Sequence, residues 1–177
     1  MLAILTITTD LVAMAVTLWM AFYLFARGFP NRIAMKAVLS LLAISLFFLG
    51  TYNGYFFHVS GTANLRACLL IIGMACWYSV TFNLLSQPSQ KKFRWLEITV
   101  YSLSFVTIVF LIITKPEFIR QQGNDFYVAY LEETFVYLLY GATQIIISLG
   151  LIFNLIVEKR IRFTVQGRFF LFATIFP

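Results

Sequence analysis

The chain has 177 residues, 61% of them hydrophobic and 11% charged, with a mean hydropathy of +0.88. A soluble domain carries about 25% charged residues, so these apolar side chains cannot all be hidden inside one water-facing fold, and lipid is their solvent. The net charge of +6 has no basic stripe with interleaved exposed aromatics behind it; this excludes a nucleic-acid partner, and in a membrane chain the excess is read through the loops.

The first apolar run, 2–26, is long enough to cross a bilayer, which takes about 20 residues. It has no basic start and no small-residue cleavage site, so it reads as a retained span rather than a signal peptide. Thr6, Asp10 and Thr17 fall near one helical face, and that face should look into a bundle because an acid facing lipid is costly. The hinge Arg27-Gly28-Phe29-Pro30-Asn31-Arg32 joins it to a second span, 33–57. There Gly50 and Gly54 form a GxxxG pair that permits close approach of another backbone. Tyr52, Asn53 and Tyr55 suit the far interface.

A short loop, 58–64, holds the only histidine, His58. The third span, 65–85, has Arg66 near its start and a small-residue centre, Gly73-Met74-Ala75-Cys76-Trp77, that should pack tightly. The loop 86–94 is polar and basic and breaks helix at Pro88, and Trp95 follows as an interface anchor. The fourth span, 96–114, carries Glu97 where it can pair with Lys92 or Arg94. The segment 115–127 is polar. The fifth span, 128–157, opens with Glu132 and Glu133 and holds Gln144 and Ser148 on one face deeper in. A basic loop follows. The apolar run 169–177 is too short to span, so the expectation is a chain that ends within a sixth helix.

The expected fold is therefore all-α, a polytopic transmembrane bundle forming one membrane domain, with five full spans and the start of a sixth. Arg27, Arg32, Lys36, Lys91, Lys92, Arg94, Lys159, Arg160, Arg162 and Arg168 sit at loops one, three and five, against Arg66, Lys115 and Arg120 at loops two and four. The positive-inside rule puts the odd loops in the cytoplasm and the N-terminus outside a cell membrane.

The chemistry-bearing motifs are few. Cys68 and Cys76 stand eight residues apart, about 12 Å of helical rise, too far for a mutual disulfide. A single histidine leaves no two-histidine haem or metal site, and no cofactor is expected. There is no GxSxG, HExxH or Walker loop, so no catalytic residue is assigned and the chain is not read as an enzyme. Candidate ligand-binding residues are Asp10, Asn53, Arg66 and Glu132, which map to the outer ends of their spans, where near-membrane ionisable groups point to function. Arg66 could pair with Asp10 or Glu132 across the bundle.

A resemblance adds to this reading. Leu18-Trp19, Tyr23-Leu24 and the basic proline-containing turn resemble the opening of the N-terminal seven-helix membrane region of bacterial sensor histidine kinases and related signalling proteins. Ala75-Cys76-Trp77, Lys92-Phe93-Arg94-Trp95, and Arg162-Phe163-Thr164-Val165-Gln166-Gly167-Arg168 leading to Leu171 and Pro177 are similar to the same pattern. The resemblance implies a sensor module that perceives a small ligand or membrane state and relays it to a cytoplasmic output domain outside this chain, for which kinase, cyclase and transcriptional domains are all open. It also implies a homodimer. A small transporter or channel subunit and a structural subunit of a membrane complex are the alternatives, and membrane lipids are partners in every case.

Neutralising Lys91, Lys92 and Arg94 to Gln is expected to raise the fraction of inverted chains reported by compartment-sensitive fusions. An unchanged reporter signal would count against the inside assignment.

Overall fold

The computed structural model describes the backbone of residues 2–57, 62–114, 120–122, 125–127 and 134–157, and side chains within 7–50, 64–114 and 135–157. Five helices carry the fold: α1 (Leu2–Gly28), α2 (Arg32–Phe57), α3 (Thr62–Asn83), α4 (Gln87–Thr114) and α5 (Thr134–Val157). Each is long and apolar enough to cross a membrane. Helix is the form these runs must take, since lipid offers no partner to backbone N–H and C=O groups. Between α4 and α5, Arg120–Gln122 and Asp125–Tyr127 pair antiparallel as a short hairpin, with Gln121 opposite Phe126. The sixth run, 169–177, and the basic residues from Lys159 onward lie outside the described residues.

The bundle is organised around α3. It packs against α2, α4 and α5; α4 packs against α5, and among the described residues α1 touches α2 alone. Burial follows the same order: 56% of the α3 span is buried but 6% of the α1 span. Two apolar clusters lie where α3, α4 and α5 meet. One gathers Tyr78, Phe82, Val100 and Ile147, and the other Ala67, Ile71, Leu111 and Val136. A third, Ala21 with Val38 and Leu41, holds α1 on α2.

Small residues set the spacing, as the centre of α3 suggested. At Gly73 an added Cβ would stand 2.9 Å from Ile44 Cγ1 and 3.4 Å from the Ser40 carbonyl oxygen, so only glycine lets α2 and α3 cross this closely. The Ser40 hydroxyl donates to the Gly73 carbonyl at 2.6 Å. Gly150 likewise admits the Tyr78 ring, whose Cε2 would lie 2.7 Å from a Cβ there. Gly50 receives the Arg66 side-chain stem, 2.6 Å from where its Cβ would be.

The start of α4 differs from the sequence reading. Helix α4 begins at Gln87, so Pro88, Lys91 and Lys92 are helical rather than in a loop. Proline is tolerated in a first turn because its missing N–H would have no intrahelical acceptor there. Gln90 completes the join by donating its side-chain amide to the carbonyls of Asn83 at 3.0 Å and Leu85 at 2.7 Å, which caps the end of α3. Helix α5 is described from Thr134, and 128–133 lie outside the described residues. At the first hinge, Asn31 caps α2, its side-chain oxygen accepting from the Ile33 N–H at 2.8 Å.

Contacts along the helices show that they alternate in direction. Lys36 near the start of α2 meets Ser79 near the end of α3, which meets Glu97 in the first half of α4. Phe93 of α4 lies edge-on to Phe153 near the end of α5. Arg27, Arg32, Lys91, Lys92 and Arg94 therefore share one end of the bundle, as the loop charges required.

Gly73→Val is expected to destabilise the bundle by about 1–3 kcal/mol through overpacking. Gly141→Ala, with nothing within 4 Å of the added Cβ, should be neutral or stabilising by up to about 1 kcal/mol. Thermal unfolding in detergent distinguishes the two.

Candidate functional site

Polar groups on adjacent helices converge at the basic end around one buried hydroxyl, that of Ser79. Lys36 stands one turn inside α2 from Arg32, about 6 Å along the axis. Its Nζ donates to the Ser79 hydroxyl at 2.7 Å. That hydroxyl donates onward to Glu97 Oε1 at 2.9 Å. Ser79 is fully buried, and Lys36 and Glu97 are half-buried. The Asn83 amide adds a donor to Ser79 Oγ at 3.2 Å and to the Ser79 carbonyl at 2.6 Å. Tyr101, one turn beyond Glu97, brings its hydroxyl beside Ser79. One hydroxyl of α3 thus links an ammonium on α2 to a carboxylate on α4.

A serine hydroxyl has one proton and two acceptor lone pairs. Here the proton goes to the carboxylate, and the Lys36 ammonium, the Asn83 amide and the Tyr101 hydroxyl share the two lone pairs as donors. Opposite charges held this way compensate one another where neither is well hydrated. Among the described residues no group of three His, Cys, Asp or Glu side chains is placed to hold a metal ion, and at this node the Lys36 ammonium supplies the positive charge.

The sequence pointed elsewhere for this chemistry. Glu97 was expected to pair with Lys92 or Arg94; the structure turns it to Ser79 instead, while Lys92 lies over the Phe93 ring at 5.4 Å. Lys36 counted only as a topology charge. The signal that would have found them is the inward displacement of one lysine and one glutamate, of opposite sign, from neighbouring basic loops. Ser79 itself carried no signal.

The four residues singled out at the other end are placed as follows. Asp10 is half-exposed on α1, one face with Thr17, whose hydroxyl meets Ser45 of α2 at 2.7 Å. Arg66 lies in the first turns of α3, its guanidinium 5.1 Å from the Phe47 ring centroid. Since α1 packs on α2 and not on α3, the structure does not bring Asp10 and Arg66 together. Asn53 lies within α2 but its side chain is outside the described residues, and so is Glu132.

A protein-family comparison matched no model, and neither curated proteins nor solved structures gave a match. The likeness to sensor kinase membrane regions therefore rests on the residues quoted for it.

If the node is a coupled unit, Lys36→Met and Glu97→Gln should each destabilise the bundle by about 1–3 kcal/mol, because each leaves the other charge uncompensated. The double variant should lose less than the two single losses together, by at least about 0.5 kcal/mol. Thermal or denaturant unfolding in detergent gives all three values, and simple additivity would argue against the link.

Proposed function

We propose that this chain is the membrane-embedded input module of a signalling protein, with the Lys36–Ser79–Glu97 node as its coupling element. The node supports this reading because it ties α2, α3 and α4 through a single hydroxyl. A displacement of any one helix must break or re-form a charge-assisted hydrogen bond, which gives two discrete packings rather than a continuum. It also lies at the basic end, which the positive-inside rule assigns to the cytoplasm, the side from which a relay would be read. In this reading the N-terminus is outside a cytoplasmic membrane, the stimulus is a small ligand or a membrane state, and these residues perform no catalysis. The outer candidates Asp10, Asn53, Arg66 and Glu132 would receive the stimulus. Dimerisation and a kinase, cyclase or transcriptional output remain implications of the family resemblance.

A transporter subunit is the alternative, and one paired experiment separates them. In a chain carrying Cys68→Ser and Cys76→Ser, spin labels at positions 26 and 94, both exposed at the basic end, report helix displacement in lipid. The expectation is two distance populations whose ratio Glu97→Gln changes, with no proton flux in proteoliposomes loaded with a pH-sensitive dye. One population that the variant leaves unmoved would overturn the relay. Flux abolished by Glu97→Gln would favour transport.

A further inference from the structure

Tyr78 of α3 and Asn154 of α5 are both fully buried, and the Asn154 side chain stands beside the Tyr78 hydroxyl. Yet among the described residues neither that hydroxyl nor Asn154 Oδ1 closes a hydrogen bond. The two atoms are complementary, since a phenol donates one proton and an amide oxygen accepts. Leaving them open in a dry interior costs free energy that closing them would return, so the open pair calls for a physical reason. Each partner is held by something else. Asn154 Nδ2 donates to Thr81 at 2.9 Å, and Thr81 is held in turn by the Tyr78 carbonyl at 2.7 Å. The Tyr78 ring lies against Gly150 and stacks on Phe82 with centroids 6.2 Å apart. Closing the pair therefore takes a shift of α3 against α5 rather than the turn of one side chain. Ser79 is the next residue, and it faces Lys36 of α2 and Glu97 of α4. Both sit on one rigid helix, so a movement that draws Ser79 away from α2 and α4 carries Tyr78 toward α5.

We propose that Tyr78 and Asn154 form a latch, open in this packing and closed in the relay's other one, where the Tyr78 hydroxyl donates to Asn154 Oδ1. The latch presupposes the relay, since it acts between that relay's two packings. One packing keeps the charged link through Ser79 and leaves the buried pair open. The other gives up that link and closes the pair, so part of what is lost at Ser79 is recovered one residue away. The bond from Asn154 to Thr81 is kept in both and serves as the pivot. The exchange brings α5 into a relay that the charged link alone confines to α2, α3 and α4.

The cysteine-free chain with spin labels at positions 26 and 94, in lipid, tests it. Glu97→Gln enriches the second packing, so the latch is read in that background. Tyr78→Phe keeps the ring and removes only the hydroxyl. It should lower the ratio of second to first packing by roughly 2- to 10-fold, the effect of one neutral hydrogen bond on an equilibrium. With Asn154→Leu also present the acceptor is gone, and Tyr78→Phe should leave the ratio unmoved. A ratio that Tyr78→Phe leaves alone or raises in the Glu97→Gln chain would overturn the latch while the relay stands. An equal effect in the Asn154→Leu chain would give the hydroxyl a different partner and overturn it too. A single population in the parent chain would overturn the relay, and the latch with it.

Discussion

Lipid removes the force that assembles most proteins. Between helices already surrounded by hydrocarbon, burying one more leucine gains little, so association depends on close packing and interhelical hydrogen bonds. This chain answers with a polar contact at each pair of touching helices. Thr17 meets Ser45 between α1 and α2, Ser40 meets the Gly73 carbonyl between α2 and α3, and Ser79 meets Glu97 between α3 and α4. Thr107 meets Thr143 between α4 and α5 at 2.7 Å, and Asn154 donates to Thr81 between α5 and α3 at 2.9 Å. Several of these hydroxyls also turn back on their own helix, as Thr107 does to the Leu103 carbonyl and Thr143 to that of Leu139. A hydroxyl has only one proton, so within the threonine pair one proton stays with its own helix and the other crosses. Such contacts are worth about 0.6 kcal/mol on average in membranes; their role is to fix rotation and depth as much as to bind.

The Lys36–Ser79–Glu97 link differs from the others in kind. The hydroxyl pairs join neutral groups, and breaking one leaves a threonine that can fall back on its own backbone. Separating the charged link leaves an ammonium or a carboxylate with no such refuge. The arrangement therefore ties the packing of three helices to the state of ionised groups. Its position beside Asn83, at the end of α3, and near the tight join to α4 puts that dependence where the chain turns between membrane and water.

The spans and their alternation were legible because apolar run length and loop charge are local properties of the sequence. So was the tight centre of α3, where Gly73 and Ala75 declare a close crossing by their size alone. The start of α4 was not, since Pro88 reads as a breaker until its place in a first turn is known. Lys36 and Glu97 were seen but misassigned, because a charge near a loop looks the same whether it points to water or to a neighbouring helix. Which of these occurs depends on helix rotation, and that is set by the small residues and hydroxyls of the partner. Asp10 and Arg66 show the converse: each is conspicuous alone, yet the order of packing places α2 between their helices.

The clasp between Asn154 and Thr81 joins residues 73 positions apart, and its two partners are made at different times. At a synthesis rate of roughly 5–20 residues per second, α3 is complete for several seconds before Asn154 exists. Throughout that interval the most buried helix of the finished bundle has lipid, or the insertion machinery, where α5 will be. Thr81 is prepared for the wait. Its hydroxyl donates to the Tyr78 carbonyl at 2.7 Å, a bond available within α3 alone, and its lone pairs are left for the amide that arrives last.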